Sequence, residues 1–151
     1  ITLLSEKKYM LEQSNNKHMI LTPHTGEFDR LFGSSTNDFD RLQKAIDNAA
    51  AYNCHIILKA HHTAIICPDG NVYFNTTGNA GMATAGSGDV LCGIITGLLA
   101  QGYKETQSCI FGVFLHGLAG DIAANNLSEE AMIASDIIKH LGDAYKKIKD
   151  Q

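Results

Sequence analysis

Three short stretches of this chain hold the residue types that phosphoryl transfer uses. The most concentrated is Gly78-Asn79-Ala80-Gly81-Met82-Ala83-Thr84-Ala85-Gly86-Ser87-Gly88-Asp89, in which four glycines fall within eleven residues and an acid closes the run. An apolar stretch from Val90 to Ala100 follows at once. A flexible backbone that ends in a helix start leaves N–H groups unpaired. With the positive end of the helix dipole they form a site for a phosphate or another anion. Gly86, Ser87 and Gly88 are the candidate amides. Asp89 admits two readings. As a first-turn acid it is stabilised by the dipole, worth about 0.3–1 kcal/mol. As a general base it would take the proton of a substrate hydroxyl while that oxygen attacks phosphorus. The dipole weakens a resting carboxylate as a base, but the proton needs to move only once the attacking oxygen has become acidic.

The second stretch is Thr22-Pro23-His24-Thr25-Gly26-Glu27. It follows an apolar run, and ligands of open α/β sheets bind beyond the carboxyl ends of strands. His24, Gly26 and Glu27 are therefore binding candidates; equally, Glu27 reads as a first-turn acid and His24 as a polar loop residue. The third stretch, Lys59-Ala60-His61-His62-Thr63, also follows an apolar run. Lys59 and Thr63 can donate to phosphate or ribose oxygens. The paired histidines do not read as a metal site, because adjacent side chains of an extended segment point to opposite faces and no histidine–acid partner stands four residues away. Asn75, Thr77 and Asn79 lead into the glycine run and are expected to line the same cavity. His116-Gly117-Leu118-Ala119-Gly120-Asp121 reads first as close helix packing against a sheet, with His116 and Asp121 as capped or partly buried packing residues.

Particular elements must hold these stretches. His18–Thr22 stops at Pro23 and reads as a buried strand, and residues 55–59 as another of the parallel type. Gly26–Phe32 predicts a short helix ended by Gly33. A second helix starts at Asn37 or Asp38 and stops near Asn53, with Phe39, Leu42, Ile46, Ala49 and Ala50 at helical spacing. Thr63–Cys67 and Asn71–Asn75 flank Pro68-Asp69-Gly70, a hairpin signal. Ser5–Leu11 looks like the tail of a helix. After the glycine run three helices are expected, over 86–101, 106–125 and 129–149, the last capped by Ser128. Gly93 and Gly97 are expected to bring helices close. The order implies a layered α/β fold with a mostly parallel sheet. The strands at 18–22 and 55–59 read as central and need neighbours on both sides, so the chain looks like part of a larger sheet.

At 151 residues, 44% hydrophobic and 19% charged, the chain has the length and composition of a single globular domain. A net charge of −4 argues against nucleic acid or an anionic membrane as the main partner. The apolar stretches are broken by Gly and Thr well before 18 residues, so no membrane span is expected. Cys54, Cys67, Cys92 and Cys109 contain no C-x-x-C pair and read as reduced core thiols of a cytoplasmic protein.

Leu21–Phe28, Leu58–Thr63 and Gly78–Leu91, in this order, together resemble the ADP- or ATP-dependent NAD(P)H-hydrate dehydratases, a branch of the ribokinase-like superfamily. The Gly-Asn-x-Gly-Met-Ala-Thr string is the specific part, and Leu115–Asp121 is also similar. The resemblance covers nearly all of residues 1–151 as one ribokinase-like α/β/α domain, with Ile1 entering where the family's C-terminal half begins. It implies dehydration of the (S)-hydrate of NADH or NADPH at the expense of ADP or ATP. The ring hydroxyl would attack the terminal phosphoryl group with Asp89 as base, and phosphate would then leave. Lys59, Ala60, His61, His62, Thr63, Gly86, Ser87 and Gly88 would serve the nucleotide; His24, Gly26, Glu27, Asn79 and Asp89 would serve the hydrated dinucleotide. Magnesium would be held through the nucleotide and water rather than by a protein cage, and a homo-oligomer is expected. Thr25 stands where the family usually has proline, and Ala60 and Ala85 where glycine is common; neither alanine deletes a chemical group. The alternatives are a small-molecule kinase of the same superfamily, acting on a sugar or vitamin-precursor alcohol, and a non-catalytic nucleotide-binding module.

Overall fold

The strands that end in two of the candidate stretches lie side by side. In the computed structural model, which describes Leu11 and residues 19–150, Ile20–Leu21 (β1) pairs in parallel with His55–Leu58 (β2), Ile20 opposite His55 and Leu21 opposite Ile56. The helix tail expected before residue 11 and His18 lie outside the described residues. The chain divides into two units, Ile1–Phe74 and Asn75–Gln151.

In the first unit the parallel pair is joined by two helices, as a parallel connection requires. Thr25–Phe32 (α1) ends at Gly33, whose φ of 97° is left-handed, and Asp38–Ala51 (α2) is capped by the Asn37 side chain on the Asp40 N–H. Arg41 of α2 forks onto Asp29 of α1 at 3.1 and 3.0 Å and holds that carboxyl below its ordinary range. Phe28 and Leu31 of α1 and Ala45 and Ala49 of α2 pack on Leu21, Ile56, Leu58, Ala64 and Ile66 of the sheet. Phe28 is fully buried, and truncating it to alanine would cost about 3–5 kcal/mol. Leu42 and Ile46 join this core, but Phe39 is 87% exposed and Ala50 is exposed too, so the apolar face of α2 is narrower than its spacing suggests.

β2 then pairs antiparallel with Ala64–Ile66 (β3), and β3 with Val72–Phe74 (β4), giving the order β1-β2-β3-β4. The described sheet thus has one parallel and two antiparallel pairs, a smaller parallel share than expected. Short connections dictate it, since five residues between β2 and β3 can only return antiparallel. The turn at Gly70 has φ 86° and is closed by the Gly70 N–H on the Cys67 carbonyl.

The second unit is helical. A single 3₁₀ turn, Ala80–Met82, precedes Ser87–Ala100 (α3), Glu105–Leu127 (α4), Ala134–Lys139 (α5) and Leu141–Lys149 (α6). Leu115, Leu118, Ala119 and Ala123 of α4 form its core with Met132, Ile137 and Ala144, and Met82, Val90 and Ile94 pack against them. By length and composition α4 could cross a bilayer, which its interruptions by glycine concealed, but 61% of its apolar stretch is buried inside the fold.

Three expectations fail here. The helix over 129–149 is broken. Ser128, at φ 88°, caps the end of α4 instead of starting a helix, and α5 begins only where the Asp136 carboxylate takes the Ile133 N–H at 3.0 Å. The Glu129 backbone presses so closely on Gly81 that a Cβ there would stand 2.8 Å from the Glu129 Cα, which pins this segment as a turn. Nor do Gly93 and Gly97 bring helices together, since a Cβ on either meets nothing within 4 Å. Gly112 of α4 does so instead: its Cβ would lie 2.8 Å from Ile95 of α3. Of the cysteines, 54, 67 and 109 are buried thiols as expected, with burial pushing Cys54 up to about 11, whereas Cys92 is exposed.

Candidate functional site

In the first unit strand register brings two stretches together. The β1–β2 pairing continues through the Lys59 N–H on the Pro23 carbonyl at 2.8 Å and a parallel bridge between His24 and Lys59. His24 is the N-cap of α1. Its Nδ1 accepts the Glu27 N–H at 3.2 Å, and the Glu27 carboxylate accepts the His24 N–H at 2.9 Å, a reciprocal capping box. Because Nδ1 accepts, the neutral ring carries its proton on Nε2. Gly26 makes room for this ring, since a Cβ there would stand 3.3 Å from the His24 Cε1. The Lys59 ammonium lies 3.9 Å from the Glu27 carboxylate. Partial burial raises the Glu27 pKa, but the His24 N–H, the His24 ring and Lys59 outweigh it and hold the group below its ordinary 4.5. The local roles weighed for His24 and Glu27 are therefore present, and they leave the His24 ring exposed at the strand ends.

Ala60, His61 and His62 form an exposed bend before Thr63. The two rings do not point to opposite faces; they meet edge to face with centroids 4.5 Å apart, because the segment is bent rather than extended. Among the described residues no three His, Cys, Asp or Glu side chains gather as a metal site would need.

In the second unit the glycine run leads into α3 through Gly86, at φ 88°. Not all the expected amides are open. The Ser87 N–H bonds the Thr84 carbonyl at 3.3 Å, and Asp89 and Val90 bond the Gly86 carbonyl. Ser87 is also buried, its hydroxyl beside His116. At the entry to α3 the Ala85, Gly86 and Gly88 N–H groups have no hydrogen-bond partner among the described residues. Asp89 sits at the third position of α3, exposed, and its carboxylate engages no described residue. Open amides at a helix start beside an unengaged carboxylate can hold a phosphoryl group and accept a proton next to it.

The groups that hold this run lie far from it in the sequence. Thr77 Oγ1 lies 3.0 Å from the Phe114 carbonyl and 3.1 Å from Asn75 Oδ1, two acceptors that share its single hydroxyl hydrogen. The Asp121 carboxylate accepts the Gly78 N–H at 2.9 Å and the Asn79 amide at 3.0 Å, and the Ser87 carbonyl lies 3.0 Å from His116 Nε2. Asn79 Oδ1 is left buried without a partner among the described residues. Gly117 and Gly120 face this loop rather than a sheet: a Cβ on Gly117 would stand 2.7 Å from the Thr77 carbonyl group, and one on Gly120 would meet Met82. The signal was available in His116-Gly117-x-x-Gly120-Asp121, two small residues between two polar ones.

A family model described as NAD(P)H-hydrate dehydratase matches residues 1–142. A bifunctional NAD(P)H-hydrate repair enzyme of Moorella thermoacetica is 44% identical over 88% of this chain and 26% of its own length. The crystal structure of an ADP/ATP-dependent NAD(P)H-hydrate dehydratase from Bacillus subtilis, co-crystallised with ATP/Mg2+, is 34% identical with a TM-score of 0.79, over 85% of this chain and 47% of that one. A ribokinase-like superfamily protein of Enterococcus faecalis is 35% identical with a TM-score of 0.80, over 97% of this chain and 49% of that one. The fold is thus ribokinase-like α/β, and the chain spans about a quarter to a half of the length of these relatives.

Proposed function

This chain belongs to the NAD(P)H-hydrate dehydratase family, and we propose that it supplies the phosphoryl-transfer half of an ADP- or ATP-dependent (S)-NAD(P)H-hydrate dehydratase. The observation that carries the reading is the N-terminus of α3, where the open amides of Ala85, Gly86 and Gly88 stand beside the unengaged Asp89 carboxylate. In the reaction the hydroxyl oxygen on the hydrated nicotinamide ring attacks the terminal phosphorus of the nucleotide. The bond from that phosphorus to the leaving nucleotide breaks, and Asp89 takes the hydroxyl proton. The amides stabilise the charge of the transferring group. Phosphate then leaves the ring carbon as the adjacent ring proton is lost, which restores the double bond.

Lys59 and Thr63 donate to the nucleotide and the exposed bend between them follows it, while His24, Gly26, Glu27 and Asn79 serve the hydrated dinucleotide. Magnesium would enter with the nucleotide, carried by its phosphates and water, and would offset phosphate charge. Reduced thiols and a nicotinamide substrate suit a cytoplasmic setting. β1 and β4 are the edges of the described sheet, which leaves a homo-oligomer as part of this reading, to be checked by sedimentation.

The test is regeneration of absorbance at 340 nm when the complete protein meets NADH hydrate with ADP or ATP. Absence of that signal, with phosphorylation of a sugar or vitamin-precursor alcohol in its place, would replace the dehydratase by a kinase. Nucleotide binding with neither reaction would leave a non-catalytic module.

A further inference from the structure

We infer that Asp121 and His116 are positioning residues that pin the two ends of the glycine run from a single helix, α4. The inference rests on reading that run as the phosphoryl-binding loop. Asp121 reaches back more than forty residues to take two donors at the start of the run, the Gly78 N–H and the Asn79 side-chain amide. A carboxylate only accepts, so it fixes the Asn79 amide with its NH2 inward. A flipped amide would set oxygen against oxygen. The cost of the chosen orientation is visible in the buried, unpartnered Asn79 Oδ1.

At the other end His116 is buried, with Nε2 3.0 Å from the Ser87 backbone oxygen. That oxygen only accepts, so Nε2 carries the hydrogen and donates. Gly88 and Asp89 follow Ser87 directly, so this bond sets the first turn of α3 that presents them. Between the two clamps Gly117 and Gly120 let Thr77 and Met82 approach the helix. Four residues of α4 thereby govern the run without touching the reacting groups.

The test uses the complete protein and two readouts that do not need turnover: hydrogen exchange of the amides of 84–89, and the Kd for ADP by calorimetry. Asp121→Asn keeps the shape but turns one acceptor into a donor facing a donor. Exchange at 84–89 should accelerate about tenfold and the Kd rise about tenfold, a factor typical of losing one charge-assisted contact. Adding Asn79→Ala to that variant should change either value less than twofold more, as coupled contacts require. His116→Leu should behave like Asp121→Asn, whereas His116→Gln, which restores an Nε2–H donor, should stay within threefold of wild type. If Asp121→Asn does not fold, Asn79→Ala alone decides through the same exchange measurement, with an acceleration of threefold or more expected. Exchange at 84–89 within twofold of wild type in the folded Asp121→Asn, or in Asn79→Ala where that variant is needed, overturns the inference. A wild type that shows the loop effects but never converts NADH hydrate would sink the dehydratase reading and leave the clamp standing.

Discussion

The two units handle their chemistry-bearing groups in opposite ways. In Ile1–Phe74 the candidate side chains hold themselves: His24 and Glu27 close a capping box on α1, and Lys59 is drawn toward the same carboxylate. In Asn75–Gln151 the candidate groups are open amides and a carboxylate with no partner, and the holding is delegated to His116, Gly117, Gly120 and Asp121 of another helix. The difference separates function from stability in one unit and couples them in the other. A group already engaged in the fold cannot be removed without loosening the fold; an unengaged one can.

The sharpest break of this contrast is Asp89→Asn. Its carboxylate supports nothing among the described residues beyond the helix dipole, so stability should change by less than about 1 kcal/mol. Turnover of NADH hydrate should fall about 10²–10⁴-fold, the usual contribution of a positioned base. Urea denaturation alongside the 340 nm assay checks both. A fall in stability matching the fall in rate would show that Asp89 is a structural cap.

Next in size is Gly117→Ala. The added methyl would run into the Thr77 backbone, whose residue is tied to the Phe114 carbonyl through its side-chain hydroxyl, so the loop must move; overpacking of this kind costs about 1–3 kcal/mol. Thermal unfolding gives the stability, and ADP affinity should weaken with it, because the displaced segment leads into the glycine run. A variant as stable as wild type would mean that the loop yields freely and that α4 does not hold it.

The sequence made legible what depends on local pattern. The strands before Pro23 and Lys59, the caps at Asn37 and Gly33, the hairpin at Gly70 and the helix start after Gly86 are each written in neighbouring residues. What it concealed depends on distant approach. Ser87 looks like a donor until His116, twenty-nine residues on, is seen to bury it. Ser128 looks like an N-cap until Glu129 is found pressed against Gly81. Gly93 and Gly97 look like packing glycines because a stretch of sequence does not tell which helix face meets a neighbour. Asp121 reads as a packing residue because its partners lie more than forty positions away.

In the first unit the coupling can be probed through pH. Glu27→Ala removes the capping acceptor and should cost about 1 kcal/mol. Glu27→Gln keeps an acceptor for the His24 N–H but removes the charge that this N–H and the Lys59 ammonium attract, worth about 0.2–1 kcal/mol for such a partly exposed group. Because the folded pKa of Glu27 lies below its ordinary 4.5, this part of the stability is present above 4.5 and is lost as pH falls through the folded value. Denaturant titrations of wild type and Glu27→Gln should therefore differ at pH 7 and converge at low pH. A gap that persists undiminished into strong acid would assign the effect to shape rather than charge.

The smallest effect tests whether the body of α3 takes any part in the delegated holding. Gly93 lies inside that helix, exposed, with nothing within 4 Å of where a Cβ would stand. If close packing needed the glycine, Gly93→Ala would destabilise. If α3 is held only at its first turn and along the Ile95–Gly112 contact, the substitution lowers the entropy of the unfolded chain and improves helix propensity at no steric cost. The expected gain is about 0.4–1 kcal/mol in denaturant unfolding, with the Kd for ADP unchanged within twofold. Filling Gly117 and filling Gly93 should therefore move stability in opposite directions, although both are glycines on apolar helices of the same unit. Only the neighbour each one meets separates them.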